Sequence, residues 1–389
     1  MRVQKLPNNA NLAKILAAIA CDPAGAKIMA AKGEVGFFYL RDLSCGAANI
    51  LKQDALAIGA ELATHKGTAN CAVERADALL IANNSQLKRL AEKEKSQPFE
   101  LKEIASELEI FANLPSRDFK SDRAQIMGIL NINEDSFNAA SRVSAEKIVD
   151  RAEKMINDGA AILDIGAVSS RPGSESVSAE VELQRLKPAI DALYSAKICD
   201  RAKLSLDSFE PIAINYALDR GFTIINDITG GENNAVLSLA ARYNAAIVLT
   251  HKKGEPKNMQ ENPRYENVAL EVAEFFAKRI AKARKSGVSE IILDCGVGFG
   301  KSAADNLRLI NAHADFARFG YPLLIGASRK SLIASDLITP AAPVAERLGG
   351  TIALHLRAAE LGAKIVRCHD VFEHFQAFLA FYALKDHEI

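Results

Sequence analysis

The residues of this chain best suited to chemistry are Asn131, Asp164, Asp207, Asn226 with Asp227, His251, Asp294, the run Ser328-Arg329-Lys330, and Arg367 with His369. Each closes a short apolar run. One aspartate in such a place is usually a helix cap or a turn residue. Polar residues ending nearly every run in succession are hard to explain by capping alone. Asp207, Asn226 and Asp294 suit a flat heterocycle with paired N–H donors, because a sheltered carboxylate makes strong, directional, charge-assisted bonds and an amide donates and accepts at once. Arg171, Arg367, His369 and Ser328 are anion-binding types. Arg171 lies in Ser169-Ser170-Arg171-Pro172-Gly173, and Gly326-Ala327-Ser328-Arg329-Lys330-Ser331 sets small residues and N–H groups ahead of an expected helix, a ready phosphate or carboxylate site. Cys295-Gly296-Val297-Gly298-Phe299-Gly300-Lys301-Ser302 ends like a phosphate-binding P-loop, but the first glycine of that motif falls on Cys295. It reads better as a glycine-rich hinge beside a ligand, with Phe299 over a ring.

The elements that must position these residues are legible in the hydropathy pattern. From residue 126 onward, apolar runs at 126–132, 161–165, 204–206, 223–225, 245–249, 291–293, 323–325 and 365–366 alternate with amphipathic stretches. Most are rich in Ile, Val and Leu without strict alternation, as expected of parallel strands buried on both faces. Between them, Ile148, Ala152, Met155 and Ile156 recur at helical spacing, with Ser144 as an expected N-cap and Gly159 as a stop. Val268, Val272, Phe275, Phe276 and Ile280 form a second such stripe. Strands each followed by a helix predict a (β/α)8 TIM barrel over residues 124–389, whose site lies at the C-terminal ends of the strands. A doubly wound open sheet is the alternative. Residues 1–118 predict a smaller accessory α/β domain of unknown role, with strands at 35–40 and 78–82 and helices at 47–56, 87–94 and 99–111. A polar, proline-containing linker at 114–123 separates the two.

Composition narrows the partners. Lys+Arg and Asp+Glu number 48 each, for a net charge of zero, so the basic excess that marks nucleic-acid or anionic-membrane binding is missing. No apolar run approaches the roughly 18 residues of a membrane span. Small molecules are the expected partners, with no nucleic acid and no membrane. The six cysteines form no CxxC pair, which disfavours zinc ribbons and thioredoxin-like motifs. A disulfide framework is not expected in a chain with this much core, which points to a reducing, cytoplasmic compartment. Residues 12–21 faintly resemble a secretory or lipoprotein signal, but Lys14 interrupts them and Leu12, Ile15, Leu16 and Ile19 recur as on an amphipathic helix. His313, His355, His374 and His387 fall on helical stretches and read as surface or packing positions.

The strings themselves match a family. Ile126-Met127-Gly128-Ile129-Leu130-Asn131 with Asp135-Ser136-Phe137 resembles the opening of dihydropteroate synthases. Asp164-Ile165-Gly166, Ser170-Arg171-Pro172-Gly173, Ser205-Leu206-Asp207-Ser208 and Ile224-Ile225-Asn226-Asp227-Ile228 continue the resemblance in order, as do His251 with Gly254 and Asp294 with Gly296 and Gly298-Phe299-Gly300-Lys301. Gly326-Ala327-Ser328-Arg329-Lys330 and Val366-Arg367-Cys368-His369-Asp370-Val371 complete it, over residues 124–384. Asn133-Glu134 stands where the family usually has Thr-Pro before Asp135, Cys295 replaces a proline, and Ser170 replaces a threonine while keeping the hydroxyl.

The resemblance implies condensation of 6-hydroxymethyl-7,8-dihydropterin diphosphate with 4-aminobenzoate, giving 7,8-dihydropteroate and diphosphate in folate biosynthesis. It assigns the pterin to Asp207, Asn226, Asp294 and Lys330, and the diphosphate to Asn131, Arg171, Arg367, His369 and Ser328. Mg2+ is the implied cofactor, held by Asn131 and the Asp135 loop. Phe299, Arg171 and Pro172 would flank the aminobenzoate, with Ser170 in the same binding loop and N–H groups near Ser331 receiving its carboxylate. Asp135, Lys330 and Arg367 are the expected catalytic residues, and a homodimer is the expected assembly. A pterin-binding methyltransferase on the same barrel has no diphosphate to bind, so the anion-binding residues argue against it. A catalytically silent pterin-binding protein is the rival from another class. Fusion to the preceding pathway kinase is disfavoured by the short N-terminal region, which has no clear nucleotide motif.

Overall fold

The computed structural model describes residues 3, 6, 10–115, 123–132, 142–167, 177–254, 259 and 262–386. The chain divides into two compact units, Met1–Arg117 with Lys385–Ile389, and Asp118–Leu384.

In the first unit, β1 (Val35–Ser44), β2 (Glu61–Thr64) and β3 (Arg75–Asn83) form an antiparallel sheet in the order β1-β3-β2. Helices Cys45–Ala57, Asn84–Glu94 and Leu101–Ala112 contribute Leu51, Leu90 and Leu101 to a core shared with Leu80 of β3. The helix Asn84–Glu94 starts where the chemistry of its first turn demands. Asn83 accepts from the Gln86 backbone, and the Gln86 side chain accepts from the Asn83 N–H. Two elements escape sequence reading. Strand β2 is four residues long and buries only Leu62, and the helix Pro23–Gly33 buries nothing, so neither shows a periodic stripe. A further difference is a disulfide, Cys45–Cys71, with Cα atoms 5.6 Å apart. The turn after β2 folds back over the first residue of the helix Cys45–Ala57, and a separation of 26 residues hides that approach from spacing rules.

The second unit is the expected barrel. Strands β4 (Gln125–Asn131), β5 (Ile162–Gly166), β6 (Lys203–Asp207), β7 (Ile224–Asp227), β8 (Ala246–Thr250), β9 (Ile291–Asp294), β10 (Leu323–Ile325) and β11 (Ala363–Cys368) pair in parallel with their sequence neighbours, and β11 closes on β4. One helix differs at its start, since Arg142–Asn157 begins two residues before Ser144. Another differs in place. The segment after Lys330 is a short 3-10 turn, Ser331–Ala334, and the α-helix that follows β10 in the chain is Leu348–Glu360, which packs against β11. Among the described residues, no helix is long and apolar enough to cross a membrane.

The barrel interior shows how sequence becomes a site. Met127, Ile162, Ile224, Val248, Ile292, Leu324 and Ile365 form one buried cluster across seven strands. Side chains two residues apart in a strand share a face. The inward residues one step nearer the C-terminal rim are therefore Ile129, Asp164, Asn226, Thr250, Asp294, Gly326 and Arg367. An aliphatic floor thus gives way, within one inward step on most strands, to the polar residues that the sequence marks as chemical.

Candidate active site

Asp164 is the hub of the rim. It is fully buried, and three other strands of the barrel, β6, β7 and β11, address it. Ser205 Oγ donates to its Oδ1 at 2.6 Å, while Asn226 Nδ2 and Arg367 Nε donate to its Oδ2 at 3.0 and 2.6 Å. Arg367 Nη2 donates to Asp207 Oδ2 at 2.7 Å, so one guanidinium serves two acids. Burial pushes the Asp207 carboxyl up to about 7 against the pull of Arg367, with Asp164 adding repulsion. The same carboxylates hold the Arg367 guanidinium above its usual range, against the cost of its burial. Arg367, expected at the anion end, is thus tied to Asp164 and Asp207 on the rim.

Asp294 faces the other side of this floor. Its Oδ1 accepts from the Gly296 N–H at 2.8 Å, and burial raises its carboxyl while Lys330 opposes the rise. Lys330 Nζ donates to the Val297 carbonyl and stands 4.3 Å from the centre of the Phe299 ring. Burial lowers its ammonium to about 8, with Asp294 pulling the other way. The hinge from Cys295 to Gly300 makes room for this. Gly298 has φ +83°, and a Cβ there would lie 3.0 Å from Lys330 Cδ. Gly296 is tighter, since its Cβ would meet the His251 carbonyl oxygen at 1.9 Å.

Lys301 excludes the P-loop reading. Its buried ammonium donates inward to the carbonyls of His251, Gly296 and Phe299 at 3.2, 2.9 and 3.0 Å, and burial lowers it to about 7. It cross-links the loops that follow β8 and β9 instead of reaching a phosphate. His251 is buried and neutral, packed edge-on against Phe275. Asp227 caps the turn after β7 through the N–H groups of Thr229 and Gly231.

The loops after β10 and β11, which carry the residues of anion-binding type, meet each other. Ser328 Oγ lies 2.9 Å from His369 Nδ1 and accepts from the His369 N–H at 3.2 Å. The His369 tautomer sets which of the two groups donates in the first contact, because a hydroxyl has one proton to give and two lone pairs to offer. Arg329, next after Ser328, has φ +56° and makes a two-point ion pair with Asp370, the residue after His369. Asn131 ends β4, and its carbonyl accepts from Arg151. Asp135, Ser170 and Arg171, with Phe137 and Pro172, lie outside the described residues.

The structure therefore gathers Asp207 with Arg367, Asn226 with Asp164, Lys330 with Phe299, and Ser328 with His369. The Asp164 hub, the Lys301 strap and the Arg329–Asp370 pair go beyond the site read from sequence. Asp164 did carry a signal, as the residue closing the second apolar run. A flat, N–H-rich ring fits the acidic and amide floor, and an oxyanion fits the loops above it.

The pterin binding enzyme family matches residues 127–369. A bifunctional dihydropteroate synthase/dihydropteroate reductase of Helicobacter pylori is 38% identical over 355 residues, 91% of this chain and 92% of that protein. A dihydropteroate synthase of Escherichia coli is 39% identical over 274 residues, 69% of this chain and 94% of its own length. Among solved structures, a Xanthomonas albilineans dihydropteroate synthase with 4-aminobenzoic acid superposes with a TM-score of 0.61 at 34% identity, covering 68% of this chain and 94% of that one.

Proposed function

The chain belongs to the dihydropteroate synthase family of pterin-binding enzymes, and on that premise we propose how its own residues divide the reaction. It is a transferase of folate biosynthesis that condenses 6-hydroxymethyl-7,8-dihydropterin diphosphate with 4-aminobenzoate, giving 7,8-dihydropteroate and diphosphate. The observation that carries the division of roles is the pair of groups on the rim, an acidic floor tied together by Arg367 and the Ser328–His369 pair on the loops after β10 and β11.

Asp207, Asn226 and Asp294 take the N–H edges of the pterin, and Lys330 takes a ring acceptor. The pterin N–H groups displace Arg367 Nη2 from Asp207 and turn that edge of the guanidinium toward the diphosphate. Arg367, His369 and Ser328 then hold the leaving group, so that the C–O bond breaks early and the positive charge spreads into the pterin. The weak aniline nucleophile needs positioning more than a base, and Phe299 supplies a wall for it. Asn131, at the rim end of β4, offers the oxygen ligand that a hard cation prefers. Among the described residues no group of three or more His, Cys, Asp or Glu could hold a metal, so phosphate oxygens would supply most of the Mg2+ ligands. When bound, the ion adds positive charge at the leaving diphosphate. Asp135, Ser170 and Arg171 keep the roles implied by resemblance. A cytoplasmic homodimer belongs to the same proposal.

The test is 4-aminobenzoate-dependent release of diphosphate from the pterin diphosphate. Release without 4-aminobenzoate, or none with it, would overturn the reading.

One finding favours a second activity for the first unit. The H. pylori relative named as both synthase and reductase matches 91% of this chain, whereas the E. coli synthase matches 69%. We extend the proposal to reduction of dihydropteroate by a supplied hydride donor. Absence of a tetrahydropteroate product with both nicotinamide and reduced flavin donors removes it.

A further inference from the structure

Two histidines that sequence places on helical surfaces or in packing are fully buried and joined to each other. His355 lies on the helix Leu348–Glu360 and His374 on the last helix, Val371–Asp386. His355 Nδ1 and His374 Nε2 are 2.9 Å apart. The remaining ring nitrogens reach the two anion-end loops. The Ala327 N–H donates to His355 Nε2 at 2.9 Å, and His374 Nδ1 lies 2.6 Å from the Asp370 carbonyl oxygen.

The proton positions follow by elimination. A backbone N–H can only donate, so His355 Nε2 is bare. A carbonyl can only accept, so His374 Nδ1 carries hydrogen. With both rings neutral, His355 holds its proton on Nδ1 and gives it to the bare Nε2 of His374. Burial lowers the proton affinity of both rings and keeps them neutral; His374 and then Lys330 add to the effect at His355, while Asp370 and Glu373 oppose it at His374. Every ring nitrogen is used once, and every bond runs in one direction, from Ala327 to Asp370.

The two ends of this run are informative. Ala327 precedes Ser328, and Asp370 follows His369, the two residues that touch each other above the run. Asp370 also holds Arg329, whose left-handed backbone is bonded through its N–H to Thr351, one turn before His355 on the same helix. The loops after β10 and β11 are therefore pinned from below at 327 and 370 and meet above at 328 and 369. A preorganised donor set loses less energy in reorganising when charge develops on the leaving group.

We propose that His355 and His374 are a positioning pair for the diphosphate end of the site, holding Ser328 and His369 at their mutual distance through a one-way run of hydrogen bonds. The proposal rests on the reading that these loops bind the substrate's diphosphate. Neither histidine touches substrate in it.

The experiment uses the full chain with inorganic diphosphate, a pterin lacking diphosphate, and the complete reaction. His355→Leu should weaken diphosphate binding and raise KM for the pterin diphosphate about tenfold, with affinity for the plain pterin unchanged. His355→Gln, whose Oε1 can replace Nε2 as the acceptor for Ala327, should recover most of the loss. Equal loss for both ligands, no loss, or no difference between Leu and Gln overturns the positioning role. A second measurement needs no variant. Nitrogen-15 spectra of histidine-labelled wild-type protein at pH 7 should show two neutral Nδ1–H tautomers in contact, both shifting when diphosphate is added. An Nε2–H tautomer or a cationic ring at either residue overturns the run itself. Wild-type protein that binds no diphosphate overturns the anion-end reading and the role built on it, whatever the tautomers show.

Discussion

Asp164 in the barrel and Glu94 in the first unit are both fully buried carboxylates, and they live in opposite circumstances. Asp164 accepts from Ser205, Asn226 and Arg367. Neither oxygen of Glu94 meets a basic or neutral donor among the described residues; its polar neighbour is another acid, Asp54, which is itself paired with Lys93. A closed sheet explains the first case. Strands that converge on one rim bring donors from several directions to a single point. The open three-stranded sheet of the first unit has no such point, and Glu94 ends a helix beside a second acid. Burial and the Asp54 charge push its carboxyl up to about 7. A buried acid by itself therefore marks no site. The compensation around it is what separates a working cluster from a cost to stability.

Removing the compensation in the barrel should make its acids resemble Glu94, and this is the largest effect expected. Arg367→Met leaves Asp164 and Asp207 buried without their shared cation. Stability of the barrel should fall by about 3–5 kcal/mol, and kcat/KM should fall with it. Denaturant unfolding followed separately for the two units measures this, and an unchanged barrel transition would mean that solvent already screens the pair. Asp294→Asn sharpens the contrast by separating activity from stability. The amide oxygen can still accept from Gly296, so folding should hold. On the proposed pterin contact, the lost charge should cost about 2–4 kcal/mol in kcat/KM. Near-normal turnover would remove Asp294 from the floor.

The same contrast explains what sequence could say. Strand runs were legible because parallel strands buried on both faces must be continuously apolar, and the rim residues were legible because they end those runs. The partners of each rim residue were not. Asp164 meets Arg367 only because β11 closes on β4 beside β5, a register that no local pattern carries. Lys301 looks like a phosphate lysine until its loop folds back on three carbonyls. His355 and His374 lie on separate helices, and Cys45 and Cys71 are brought together by a turn. In the first unit, β2 was too short and the helix Pro23–Gly33 too exposed to leave a stripe.

The smallest effect expected has the most distinctive dependence on pH. The folded chain holds the Glu94 proton to about pH 7, whereas an ordinary glutamate in the unfolded chain loses it near 4.5. Between those values the folded state binds more protons than the unfolded state, so this residue's contribution to stability falls as pH rises through the window. Below it, wild type pays nothing for the carboxyl. Above it, a bare charge is buried at a cost of about 2–3 kcal/mol. Glu94→Gln is the protonated form made permanent, with the same shape and no charge. The variant should match wild type at pH 4 and be more stable by that amount at pH 8. The difference between the two proteins cancels every other titrating group, because only this one has changed. Synthase turnover should not move, since Glu94 belongs to the first unit and the rim to the second. A stability difference that is the same at both pH values would mean the substitution acts through packing. A variant weaker than wild type at pH 8 would mean that Glu94 has found a cation, and that the two carboxylates are alike after all.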